Sequence, residues 1–132
     1  MRVGTDIIEI DRIRQAVERQ PRFPEKVLTA AELELYQAFR QERQMSFLAG
    51  RFSVKEAYAK AMGTGIGRIS FTDISILPNE MGAPVLVSAP LVANVHLSIS
   101  HSRDYATATV IVDLPDEAIE TALQEFFEKK YH

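Results

Sequence analysis

The 132-residue sequence contains no cysteine and no tryptophan. Without thiols it can build neither disulfides nor thiolate metal sites, which suits a reducing compartment. No apolar run reaches the ~18–20 residues needed to cross a bilayer. Asp6, Glu9 and Asp11 break the N-terminal apolar stretch where the core of a secretory leader would lie. A cytoplasmic protein is expected. Excess positive charge is also missing: 15 Lys and Arg against 18 Asp and Glu leave a net charge of −3. Global attraction to nucleic acid or to an anionic membrane is therefore excluded. There is no internal repeat and no low-complexity segment. What is present, 46% hydrophobic and 25% charged residues, suits an ordinary globular protein. The length fits one domain over residues 1–132, able to bury about two-thirds of its unfolded surface.

The stretch from Ser46 to Gly63 reads as one long helix. At roughly 100° per residue, Phe47, Val54, Tyr58 and Ala61 fall on one side, and Ala49, Ser53, Glu56, Lys60 and Gly63 on the other. The first set is a buried stripe of the usual amphipathic kind. The second sets a carboxylate and an ammonium one turn apart on a strip of small residues that leaves room for something to approach. Glu followed by Lys at i+4 is also the commonest favourable surface pair, worth roughly 0.2–0.5 kcal/mol. The helix alone does not choose between these readings.

Around it the pattern spells α+β: an N-terminal strand, helices including the long central one, then antiparallel strands. Met1 to Ile10 is rich in β-branched residues and predicts a strand interrupted at Gly4-Thr5-Asp6. Asp6 is either a turn or bulge residue or a carboxylate presented from a rigid element, as metal and phosphate chemistry require. A short helix follows over Asp11–Gln20, with Asp11 as its cap and Ile13 and Val17 facing inward. Arg12, Arg14, Arg19 and Arg22 make a local basic patch, either a solvated face or a docking surface for an acidic partner. Thr29 and Glu32 match a capping box that starts a helix to about Ala38, and Arg40–Gln44 reads as a polar link.

Gly63 ends the long helix as a left-handed cap residue. Gly63-Thr-Gly-Ile-Gly67 is a weak match to a phosphate loop, because Arg68 follows where Lys-Ser/Thr is needed; it reads either as helix termination plus a mobile loop or as glycines that let a backbone approach an anion. Period-two alternation then predicts strands at Asp73–Leu77, Pro84–Ser88, Val95–Ser100 and Ala106–Val112. His101 falls at the tip of the last hairpin, and Pro115–Tyr131 reads as a C-terminal helix packed on the body.

Three blocks in fixed order carry a resemblance: Gly4-Thr-Asp-Ile-Ile-Glu-Ile10, Arg51-Phe-Ser-Val-Lys-Glu-Ala-Tyr-Ala-Lys-Ala-Met-Gly-Thr-Gly65 and Leu97-Ser-Ile-Ser-His101. Together they closely resemble the holo-acyl-carrier-protein synthases, the small 4′-phosphopantetheinyl transferases. Where that family often has Ala-Ala-Lys-Glu-Ala-Phe-Ser-Lys-Ala, this chain has Ser53-Val-Lys-Glu-Ala-Tyr-Ala-Lys-Ala61, with the charged positions unchanged. The resemblance implies transfer of 4′-phosphopantetheine from coenzyme A to a serine of apo acyl carrier protein, in fatty acid biosynthesis. It implies Mg²⁺ held by Asp6 and Glu56, catalysis by Glu56 and Lys60, and coenzyme A phosphates held by Arg51, Lys60, Gly63, Gly65 and His101. It implies that acyl carrier protein docks on Arg12, Arg14, Arg22 and Phe23. A homotrimer with active sites between protomers is expected as well. A Mg²⁺ nuclease with an Asp…Glu-x-Lys site is a rival, but it needs Glu and Lys two apart on a strand, and here they stand four apart on a helix. A module that binds carrier protein or nucleotide without chemistry is the second rival.

Overall fold

The computed structural model describes residues 1–132. Strand β1 (Arg2–Glu9) runs directly into α1 (Ile10–Arg19), followed by α2 (Phe23–Val27), α3 (Ala30–Ala38) and the long α4 (Gln41–Met62). A 3-10 turn at Phe71–Asp73 leads to the β2 (Ser75–Pro78) and β3 (Pro84–Ser88) hairpin. Then come β4 (Val95–His101), β5 (Tyr105–Val112) and α5 (Asp116–Tyr131). β1, β5 and β4 form one antiparallel sheet in that order, so β1 and β4 are its edges. The α+β class and the order of the expected elements agree with expectation, whereas α2 and the 3-10 turn were not foreseen. No helix is long and apolar enough to cross a membrane.

Alternation along β1 and β5 turns Gly4, Ala106, Ala108, Val110 and Val112 inward. These residues are small or β-branched because α4 lies directly on them. The approach is closest at Gly4, where a Cβ would stand 1.9 Å from the carbonyl oxygen of Ala57. Only glycine permits that contact. The other sheet face leaves Val3, Ile7, Tyr105 and Ile111 exposed. Val54, Ala57, Tyr58, Ala61 and Met62 of α4 join the sheet and α5 in one core. Met45, Leu48 and Ala49 join α1, Val27 and Tyr36 in a second.

α4 is thus surrounded along most of its length, which corrects the expected open strip. Ala49 and Ser53 are fully buried, and only Glu56, Lys60 and Gly63 of that face keep access to solvent. β1 is continuous through Gly4-Thr-Asp6, because β5 pairs with it residue for residue from Arg2 to Glu9. α4 begins at Gln41, so the expected link is its first turn. Glu9, not Asp11, occupies the N-cap position of α1 and makes no side-chain cap. Asp11 sits in the first turn and accepts hydrogen bonds from Arg14 and Gln15. Asp73 is not in a strand; it accepts from the Ser70 N–H and closes the 3-10 turn.

The capping box of Thr29 and Glu32 is present, and Glu32 does more than cap. Fully buried, it accepts from the Thr29 N–H at 2.8 Å, the Ile76 N–H at 2.9 Å and Lys55 Nζ at 2.6 Å. Lys55, equally buried, also donates to the Val27 carbonyl at 2.6 Å. Burial pulls the Lys55 pKa down and the Glu32 charge opposes that pull. One ion pair therefore joins α2, α3, α4 and β2.

Candidate active site

Asp6 lies mid-way along β1, opposite Ala108. Inward alternation aims it at α4, and the close contact at Gly4 brings the strand near enough for the two to share a site. Thr107 Oγ1 donates to the Asp6 carbonyl at 2.9 Å, which fixes the backbone there. On α4, Glu56 and Lys60 stand one turn apart facing this edge. Lys60 Nζ donates to Asp6 Oδ1 at 3.1 Å and to the Thr5 carbonyl at 3.0 Å. The Asp6 side chain is 14% exposed and that of Lys60 52%. The carboxylate is therefore sheltered, while the ammonium is free to turn towards an incoming anion. Burial pushes the Glu56 carboxyl above the usual carboxylate range; the Asp6 charge pushes the same way and Lys60 opposes both. Two carboxylates and one ammonium, drawn from elements fifty residues apart in sequence, meet at the open edge of the sheet.

This donor set suits one kind of metal. No group of three or more His, Cys, Asp or Glu side chains is arranged to hold an ion. Mg²⁺ is commonly held by one or two carboxylates, with substrate phosphates and waters completing its shell. Asp6 and Glu56 repel one another, and a divalent cation between them would relieve that repulsion.

Arg51 and His101 come together elsewhere. They line a cavity of about 540 Å³ with Phe39, Arg43, Phe47 and Pro84. Arg51 Nε donates to the Ile76 carbonyl at 3.0 Å, and its guanidinium stands 4.4 Å from the Phe47 ring centroid. Only 8% of Arg51 is exposed, so it presents the edge of a fixed group instead of a mobile arm. Burial also lowers its pKa, opposed by Glu32. Arg43 stands 4.1 Å over Phe39 in the same cavity. It was not singled out from the sequence, although Arg43, Phe47 and Arg51 follow one another at i+4 spacing on α4, a signal of alternating aromatic and cationic groups, with Phe39 just ahead of the helix. Nine residues of helix put Lys60 about half a turn from Arg51, and the cavity that Asp6 lines with Lys60 and Thr107 shares no lining residue with this one. Within one chain, the two halves of the expected site lie on different sides of α4.

Gly63 caps α4 with φ 82°, left-handed as expected, and Gly65 follows with φ 66°. On α1, Arg12 is exposed, whereas Arg14 pairs with Asp11 at 3.1 Å and Glu42 at 3.6 Å. Arg22 pairs with Glu25 at 2.9 Å. Phe23 is half-buried with its ring 6.3 Å from Phe52, so its first role is packing. A groove of about 830 Å³ between α5 and Thr64–Arg68 is lined by neither Asp6 nor Glu56.

Residues 2–110 match the family model described as the 4′-phosphopantetheinyl transferase superfamily. A holo-[acyl-carrier-protein] synthase of Streptococcus thermophilus is 52% identical over 110 residues, spanning 83% of this chain and 92% of that one. A crystal structure of the Bacillus anthracis holo-(acyl-carrier-protein) synthase, in complex with CoA (3′,5′-ADP), is 42% identical. It superposes with a TM-score of 0.75 over 83% of this chain and 92% of that one. The Helicobacter pylori holo-[acyl-carrier-protein] synthase in complex with coenzyme A is 34% identical, with a TM-score of 0.73 over 84% and 99%. With a family model covering most of its length and relatives this similar, the chain belongs to the holo-[acyl-carrier-protein] synthase family of 4′-phosphopantetheinyl transferases.

Proposed function

We propose that this protein transfers the 4′-phosphopantetheine group of coenzyme A to a serine hydroxyl of apo acyl carrier protein, in the cytoplasm and in the service of fatty acid biosynthesis. The observation that carries the reading is the meeting of Asp6, Glu56 and Lys60 at one open edge. The serine oxygen attacks the phosphorus that bears the pantetheine arm. The bond from that phosphorus to the bridging oxygen breaks, and adenosine 3′,5′-bisphosphate leaves with the electron pair. Glu56, one turn from Lys60 on α4, is the carboxylate that takes the serine proton. Lys60 turns from Asp6 to the pyrophosphate and neutralises the charge that grows on the leaving oxygen. Asp6 and Glu56 hold Mg²⁺, which when bound supplies a positive charge against the pyrophosphate.

The arginine and aromatic cavity with Arg51 and His101 suits the nucleotide end of coenzyme A, since guanidinium groups fixed on aromatic rings offer donors to phosphate and faces to a base. The Gly63 and Gly65 N–H groups cap α4 on the Lys60 and Ala59 carbonyls, so these positions beside Lys60 suit coenzyme A by letting a phosphate approach backbone that carries no side chain. Because one chain separates the nucleotide cavity from the carboxylates, the complete site lies between protomers. The exposed apolar face of the sheet, with Val3 at 58% and Ile7 at 66%, suits burial against further copies in a homotrimer. Arg12, Arg14 and Arg22 steer an acidic carrier protein by local charge despite the net charge of −3.

The direct test incubates apo carrier protein with coenzyme A and Mg²⁺ and follows carrier mass. The expected result is a gain of one phosphopantetheine arm with wild-type chain and none with Glu56→Gln, whose circular dichroism stays unchanged. Unchanged turnover by that variant would falsify the role of Glu56. A wild-type chain that binds coenzyme A without a mass gain would point to a binding module.

A further inference from the structure

Residues 63–67 contain three glycines, all with positive φ (82°, 66° and 154°). Nothing lies within 4 Å of where a Cβ would stand on Gly65 or Gly67, so side-chain packing does not order this segment. Backbone bonds shape it from within, from the Gly63, Thr64 and Gly65 N–H groups to the Lys60 and Ala59 carbonyls and from the Gly67 N–H to the Ile69 carbonyl, and its two ends are fastened to the rest of the fold. At one end, Arg2 Nη1 donates to the Met62 carbonyl at 3.0 Å, and Arg2 is itself held by Asp116 at 2.9 Å and Glu120 at 3.7 Å. At the other end, the Arg68 carbonyl accepts from Lys130 Nζ at 2.7 Å and from the Tyr131 hydroxyl at 3.0 Å. The Arg68 guanidinium stands 3.9 Å from the Phe127 ring centroid. Lys130 also donates to Ser70 Oγ at 3.0 Å and to the Asp73 carboxylate, which in turn holds the Ser70 N–H. Each of these fastenings comes from α5 or is braced by it, and α5 begins beyond residue 110, where the family match ends.

We propose that α5 holds the glycine segment in its coenzyme A-binding form and that Lys130 is the positioning residue through which it does so. The proposal rests on the reading that Gly63 and Gly65 meet coenzyme A phosphates. A glycine-rich segment left free must be ordered when its ligand arrives, and that entropy is subtracted from affinity. Lys130 ties residue 68 to residues 70 and 73 and so removes much of that cost in advance. It makes no contact with Asp6, Glu56 or the arginines of α1. Its loss should therefore weaken one substrate and spare the other. A lysine that merely stabilised the fold would not separate the two substrates.

The test uses the full chain with Lys130→Met, Lys130→Arg and Tyr131→Phe. It measures kcat, KM for coenzyme A, KM for apo carrier protein, and coenzyme A affinity by calorimetry. With Lys130→Met, KM and Kd for coenzyme A should rise about tenfold. Carrier-protein KM and kcat should stay within about twofold, and Lys130→Arg should recover most of the loss, because a charged donor remains. Tyr131→Phe removes one hydroxyl from an exposed residue and should shift coenzyme A affinity in the same direction by about threefold. It decides the matter if Lys130→Met does not fold. Equal changes in both KM values, or an unchanged coenzyme A KM with a lowered melting temperature, overturn the positioning role while leaving the transferase reading intact. A wild-type chain that neither binds coenzyme A nor modifies the carrier overturns both.

Discussion

At Gly4 the strand backbone touches the helix backbone, and the residues that would have to give way for a Cβ are the carbonyl of Ala57 and the amide of Ala61. Neither can swing aside as a flexible side chain would. Gly4→Ala should therefore cost about 3 kcal/mol or more, at the upper end of overpacking, read as a lowered urea midpoint with unchanged m-value. It should also lower transfer activity in the protein that remains folded, because Asp6, two residues on, is displaced from Lys60. Tyr58 supplies a pH dependence. Its hydroxyl donates to the Leu91 carbonyl at 2.8 Å and accepts from the Leu91 N–H at 2.9 Å. Burial raises its pKa, with the bond to Leu91 opposing in part. The unfolded chain loses this proton near pH 10 while the folded chain keeps it, so the folded state binds more protons there. Stability contributed by Tyr58 is full below about pH 10 and is lost as pH rises further. Tyr58→Phe should lower stability at pH 7 by about 1–3 kcal/mol, since Leu91 loses its partner, and its alkaline decline should be shallower. Denaturation midpoints from pH 7 to 11 check both.

At the scale of elements, α4 is the axis on which everything else is placed, and its hidden feature is the Lys55–Glu32 pair. Lys55→Met should cost about 3–5 kcal/mol because it strands a carboxylate among buried groups. The double variant Lys55→Met/Glu32→Gln should recover a good part of that, and a double-mutant cycle measures the coupling. Costs that simply add would show that the two groups act independently. The cap made by Thr29 and Glu32 was legible in sequence because capping is local, three residues apart. The reach of Glu32 to Lys55 and to the Ile76 N–H was not legible, because it spans 23 and 44 positions and depends on packing. The same divide explains the strip on α4. Periodicity located Glu56 and Lys60 correctly on one face, but it could not say that Ala49 and Ser53 beside them would be covered. Nor could strand propensity foresee that Gly4-Thr-Asp6 stays extended, since pairing with β5 overrides the turn preference of those residue types. Asp6, Glu56 and Lys60 were singled out because the blocks that carry them resemble a known family, and the structure pairs Lys60 with Asp6. Arg43 escaped notice because exposed arginines are common, and its i+4 spacing to Phe47 gains meaning only with its stacking on Phe39.

The whole molecule poses a question that no single chain answers, because α4 stands between the carboxylates and the Arg51 and His101 cavity proposed for the nucleotide. If sites form between copies, the two halves can be broken separately and recombined. Asp6→Asn disables the carboxylate half of a chain and leaves its Arg51 and His101 cavity whole; His101→Ala does the reverse. Each variant alone should be nearly inactive. After co-refolding in equal amounts, a site works when an intact carboxylate half meets an intact cavity from its neighbour. Random closed assembly brings that about at about one site in four, so activity should return to about a quarter of wild type. Sites contained within one chain would stay dead in the mixture, however the chains associate. Adding Ile7→Lys to both chains tests the surface that joins them. A charge at this exposed apolar position should release monomers in sedimentation and remove the regained activity with them. Recovery that survives in monomeric material would refute an intersubunit site.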